Sequence, residues 1–205
     1  MQIKNRKNKI VIFFIIFNML NFTVNADEFN IVAKEILIDK ENEILVGTDS
    51  VKVEDSEGKI IFADKVTYTK SKEFLLVEGN VKITDKKGNI LISDKATYDK
   101  INEIINTFGN TEIFLKEDYN LVTKDVFYDV KKKIVSSGSN STFTDIDGNN
   151  IETEMFQYHI EDNLFSSVGK IKIIDIKKNE YFFKEIHVDT KKKEIIGSDI
   201  SVILD

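Results

Sequence analysis

From about residue 29 onward, apolar and polar residues follow two superimposed rhythms: they alternate one by one along short runs, and the runs return every 30 residues. Blocks starting at 29, 59, 89, 119, 149 and 179, laid under one another without gaps, place Tyr68, Tyr98, Tyr128 and Tyr158 in one column, closed at the ends by Ile38 and Val188. A second column holds Ile36, Val66, Ala96, Val126, Phe156 and Ile186, and a third holds Val53, Ile83, Ile113, Phe143, Ile173 and Ile203. A fixed period of this length marks a repeat protein, whose units are too small to bury an apolar face alone and must stack on one another.

Each block reads as strand, turn, strand, turn. Ile60, Phe62, Val66 and Tyr68 alternate with Ile61, Ala63, Lys65 and Thr67 on an outward strand, Lys70-Ser71-Lys72 turns, and a return strand runs through Leu75 and Val77 to Ile83. Asp85-Lys86-Lys87-Gly88 then turns into the next block. Six blocks predict an all-β chain of about twelve strands. Both strands carry a soft spot at a constant place: a charged pair such as Asp64-Lys65 or Asp94-Lys95 on the outward strand, and Gly79, Gly109 or Gly169 on the return strand. A break repeated in every layer predicts that the sheet folds over there, so that its two halves face one another.

On the outward strands the even positions are expected to line the shared interior: Phe62, Ile92 and Val122, then Val66, Ala96, Val126 and Phe156, then the four tyrosines. On the return strands the odd positions do so, Leu75, Ile105, Val135 and Phe165 followed by Ile83, Ile113, Phe143 and Ile173. Small hydroxyl residues, Ser93, Thr107, Ser137, Ser141 and Ser167, interrupt these rows in the middle blocks. Tyrosine suits a boundary with one wet side, so the rows fit a groove able to hold acyl chains. The end blocks are atypical, with Gly47 and Gly197 two places early. The last strand, with Val202, Ile203 and Leu204, bears no charged cap, and an uncovered edge invites end-to-end docking.

Proline and cysteine are both absent, which suits ladders and excludes a disulfide scaffold, a thiolate metal site and a cysteine nucleophile. Residues 1–26 read as an export signal: Lys4, Arg6, Lys7 and Lys9 precede the apolar run Ile10 to Leu20, and Val24-Asn25-Ala26 ends it. Residues 27–205 then form one domain, and loss of four bases and no acids leaves a net charge near −10, unsuited to nucleic acid. No catalytic constellation is apparent. His159 and His187 lie outside any metal-binding spacing, and Thr144 to Asn150 lacks the later ligands of a calcium loop and reads as a hairpin turn. No phosphate loop is present, no cofactor or metal is expected, and no carboxylate pair stands out.

The runs Ala63-Asp64-Lys65-Val66-Thr67-Tyr68, Ser93-Asp94-Lys95-Ala96-Thr97-Tyr98 and Val77-Glu78-Gly79-Asn80-Val81-Lys82-Ile83 resemble elements of the OstA-like family, over residues 29–205. That family comprises LptA, LptC and the N-terminal periplasmic domain of LptD, to which the wording is closest. The resemblance implies a β-jellyroll of bent antiparallel strands, no enzymatic activity, and a periplasmic protein that shields the acyl chains of lipopolysaccharide on the way to the outer membrane. It also implies partners of the same family stacked end to end, and an outer-membrane translocon. Two other readings stay open: a structural or adhesive solenoid with a dry core, and a polysaccharide-active enzyme with carboxylates gathered in one groove.

Overall fold

A computed structural model describes residues 29–204 except 57, 116–118 and 193, so the expected export signal lies outside the described residues. The described residues are all-β apart from one short helical turn and form one antiparallel sheet of seventeen segments. Ile44–Glu54, Ile60–Thr69, Phe74–Thr84, Ile90–Asp99 and Ile104–Leu115 pair in chain order without a crossover, as do Leu164–Ile174 and Glu180–Asp189. The middle passes are each split in two: Tyr119–Lys124 with Phe127–Asp129, Ile134–Ser137 with Ser141–Thr144, and Asn150–Thr153 with Phe156–His159. The end passes are split likewise, into Asn30–Val32 with Glu35–Asp39, and Glu194–Ser198 with Ser201–Ile203. Counted as passes these make twelve, the number the repeat predicts. Among the described residues the only helical turn is Lys70–Lys72, and no helix is long and apolar enough to cross a membrane.

The sheet bends where the soft spots lie. Pairing shifts register between Thr48 and Val51, Glu78 and Val81, Ser93 and Lys95, and Val168 and Ile171, each a bulge in the ladder. Gly79 adopts φ +75°, and a Cβ there would run into the Asp64 carboxylate, so the site suits glycine on two counts. In the end blocks the bend stays in the same column, where Asp49 and Asp199 take left-handed conformations at φ 66° and 52°. The early glycines therefore do a different job. Gly197 lies in an interior row, where a side chain would collide with the Phe183 ring.

The bulge also resets the facing of side chains. Along Ile60–Thr69 the buried positions are Ile61, Ala63 and Val66, with Asp64 and Lys65 both outside. Two residues between Ala63 and Val66 move the interior from odd to even numbers. Three residues between Val77 and Val81 leave the return strand odd throughout. Phe62, Ile92 and Val122, expected inside, therefore stand on the outer face at 46%, 40% and 45% exposure. They form an outer row in which Lys52, Lys82 and Glu112 alternate with them across the ladder.

The turns keep the period too. Glu43, Glu73, Glu103, Lys133 and Asn163 all have positive φ, 30 residues apart, at one rim of the folded sheet. Gly58, Gly88, Gly148 and Lys178 do so at the other. The Thr144 to Asn150 segment is a hairpin turn as expected, its Asp145 carboxylate accepting from the Asn149 backbone N–H and side-chain amide at 2.8 and 2.7 Å.

Candidate binding groove

Folding the sheet places two wings face to face, and the interior between them holds two apolar clusters. The N-terminal one gathers Val51, Val53, Ile61, Ala63, Val66, Leu75, Val77, Val81 and Ala96, with Tyr68, Tyr98 and Ile83 packed against it. The C-terminal one gathers Leu121, Phe156, Phe165, Ile171, Ile173, Phe183, Ile186 and Val188, with Ile113, Val135, Phe143 and Tyr158 beside it. The tyrosine column continues unbroken across the strands, Tyr68 opposite Leu75, then Tyr98, Ile105, Tyr128, Val135, Tyr158 and Phe165. Buried Val126 lies on the same inner side. Val66, Ala96, Val126 and Phe156 are buried, and Tyr68, Tyr98 and Tyr158 pack against the two clusters, whereas Phe62, Ile92 and Val122 stand outside.

The interrupting hydroxyls do not line a groove. Ser93, Thr107, Thr111, Thr123, Ser137, Ser141, Thr153 and Ser167 are all buried along the fold line. Ser93 and Thr111 lie 3.2 Å apart, Thr107 and Thr111 2.8 Å, and Thr123 and Ser141 2.7 Å; Thr153 bonds Ser167. They also serve backbone groups that the split strands leave out of the ladder: Ser137 donates to the Lys124 carbonyl at 2.6 Å and Ser167 to that of Met155 at 2.7 Å. The seam thus satisfies buried polar groups at the bend.

Between the C-terminal wings lies a cavity of about 1000 Å³. Phe143, Ile151, Tyr158, Phe165, Ile173, Tyr181, Phe183 and Val188 line it, and it extends to Ile195, Gly197, Ile200 and Val202 at the last strands. Its rim carries Asp145, Asp147, Asp175 and Lys191. Asp175 is occupied: the Asn179 side-chain amide donates to it at 2.8 Å and the Tyr181 hydroxyl at 3.0 Å. The Asn179 bond is the main cause that holds the Asp175 carboxyl below its ordinary range, and the Asp175 bond in turn raises the Tyr181 hydroxyl. Tyr158 points its hydroxyl at Thr190 Oγ1, 3.3 Å away.

Reading the strands as continuous misses Tyr181, Phe183 and Ile151 in the cavity wall, because they precede the bulge on their strands and face inward at odd numbers. Their signal was available: Ile61, Leu91, Leu121, Ile151 and Tyr181 form an apolar column of their own.

On the outer face, Ser166 Oγ meets His187 Nδ1 at 2.9 Å, and His187 Nε2 meets Glu185 at 3.2 Å. The three resemble a hydrolytic triad only in composition. His187 and Glu185 are about half exposed, and their strand is paired on both sides, with Leu164–Ile174 and Glu194–Ser198.

No family model matches the chain, and no curated protein matches it. Among solved structures, the chain is similar to LptH, the LptA-homologous periplasmic component of the lipopolysaccharide transport device of Pseudomonas aeruginosa, at 13% identity over 87% of this chain and 96% of that one, with a TM-score of 0.25. It is also similar to the TCP10 domain of Danio rerio CPAP in complex with a STIL peptide, at 9% identity over 87% and 100% of the two chains, with a TM-score of 0.16. At such scores the groove stands on its own geometry.

Among the described residues, both ends of the sheet carry exposed apolar side chains. Ile36, Leu37 and Ile38 are 47–69% exposed at one end, and Val202, Ile203 and Leu204 are 48%, 57% and 72% exposed at the other.

Proposed function

We propose that the protein binds the acyl chains of an amphiphile in the C-terminal half of the folded sheet and hands them on without covalent chemistry. The observation that carries this reading is the cavity of about 1000 Å³ between the wings, with aromatic and aliphatic walls that extend to Ile195, Ile200 and Val202. Each methylene moved from water into such a space is worth ~0.8 kcal/mol, so a partly covered chain supplies several kcal/mol with no directional contact. The acidic rim favours entry of hydrocarbon alone, leaving a phosphorylated head group outside.

Lipopolysaccharide is the amphiphile favoured by the sequence resemblance to OstA-like proteins, with the molecule acting in the periplasm as an LptA-like bridge or as an LptD-type N-terminal domain. The exposed strands at both ends fit partners of the same kind, stacked edge to edge and leading to an outer-membrane translocon. The packed N-terminal cluster favours the dry structural reading for that half alone.

The test is photocrosslinking of the purified protein to lipopolysaccharide, with a photoreactive aromatic placed at Tyr158 or at its exposed neighbour Gln157. An adduct at 158 and none at 157 supports the groove. Adducts at neither position, in folded protein, reject it.

A further inference from the structure

The two halves of the groove share a tyrosine row yet differ in content, and one side chain packed on the N-terminal cluster stands out in the difference. In the repeat, positions 29, 59, 89, 119, 149 and 179 lie at the lip of one wing and hold Phe29, Lys59, Asn89, Tyr119, Asn149 and Asn179. Asn89, Asn149 and Asn179 each fold back onto an aspartate of the preceding turn, Asp85, Asp145 and Asp175. In the N-terminal half Phe29 reaches across to the opposite wing. Its ring meets Tyr68 edge-on at 5.3 Å between centroids and Tyr98 at 6.1 Å. The Lys100 ammonium lies 5.9 Å from the Phe29 ring, and that of Lys59 lies 5.4 Å from the Tyr98 ring. Tyr158, their counterpart in the same row, lines the cavity instead, and the cavity lining begins at Leu115.

We infer that Phe29 is a resident occupant of the N-terminal half of the groove and a specificity-determining residue that sets how long a hydrocarbon chain the protein can take up. The inference rests on the acyl-chain reading above. Phe29 occupies by intramolecular contact the place that a longer chain would need, with three rings sharing the space between the wings. Its anchorage is slight: the strand that follows it, Asn30–Val32, has three residues paired with Lys52 to Glu54 at the edge of the sheet. An edge strand this short can release the ring without disturbing the ladders behind it.

The experiment is displacement of the fluorescent probe N-phenyl-1-naphthylamine by saturated fatty acids of increasing length, from the wild-type protein, Phe29→Ala and Phe29→Leu. Wild-type affinity should rise with chain length and then level off. In Phe29→Ala it should keep rising past that length, by roughly fourfold per methylene that finds room, and a photoreactive aromatic at Tyr98 should become labelled by a photolabile lipid only in this variant. Phe29→Leu, which loses the ring contacts but keeps an apolar side chain, should level off in between and provides the answer if the alanine variant folds poorly. The same plateau in all three proteins would overturn the role of Phe29 and leave acyl binding intact. Probe binding by none of them would overturn acyl binding itself.

Discussion

Thr107 and Val126 exchange two hydrogen bonds across the fold line: the Thr107 N–H donates to the Val126 carbonyl at 2.9 Å, and the Val126 N–H donates to the Thr107 hydroxyl at 2.9 Å. A side chain thus takes the place of a ladder partner where the strand splits. Thr107→Val keeps the shape and removes the acceptor, leaving a buried N–H unpaired. The expected loss is about 1–3 kcal/mol, read from denaturant midpoints; an unchanged midpoint would mean that the seam does not hold the bend.

The bulge predicts a contrast between two glycines. Gly79→Ala puts a Cβ on a left-handed backbone against Asp64, and should cost about 1–2 kcal/mol or more. Gly138→Ala meets nothing within 4 Å and should stay within about 0.5 kcal/mol of wild type. Thermal melts of the two variants decide it.

Facing can be tested by one polar substitution on each side of the bend. Val66, fully buried, should lose about 2–4 kcal/mol as Val66→Ser. Phe62→Ser, on the outer face, should lose well under about 1 kcal/mol. Equal losses would restore unbroken alternation through the strand.

The turns make stability depend on acid. The Asp39 and Asp99 carboxyls are held below their ordinary range chiefly by the side-chain amides of Asn42 and Asn102, and those of Asp129 and Asp189 chiefly by the backbone N–H groups of Lys132 and Lys192. A carboxyl lowered on folding contributes stability that is fully present above its unfolded value, about 3.9, and is lost as pH falls through the folded one. Asp99→Asn should therefore be less stable than wild type near neutrality, and the gap should close in acid below pH ~4. Urea midpoints across that range check the sign; a gap constant with pH would rule the mechanism out.

The period, the twelve passes, the place of the bends and most inward rows were legible in the sequence, because each depends on residue type at a fixed spacing. The facing of Phe62, Ile92 and Val122 was not, since alternation alone cannot tell whether a break shifts it by an odd or an even count. Gly47 and Gly197 looked like displaced bends, whereas the left-handed positions had passed to Asp49 and Asp199, residue types that tolerate that conformation. The serines and threonines were visible, but their role as partners for split strands required the third dimension. Phe29 gave no sign beyond being, with Tyr119, one of two aromatic members of a column otherwise holding lysine and asparagine.

The outer row has a consequence for how such molecules can aggregate. Every exposed apolar residue in it, Phe62, Ile92 or Val122, has a charged neighbour on the adjoining strands, Lys52, Lys82 or Glu112. Those charges act as gatekeepers against face-to-face layering of one sheet on another. The terminal strands have no such interruption between Ile36 and Ile38 or between Val202 and Leu204. Layering through the outer row would bury Lys52, Lys82 and Glu112 against another sheet, a desolvation cost that discourages slabs of piled copies.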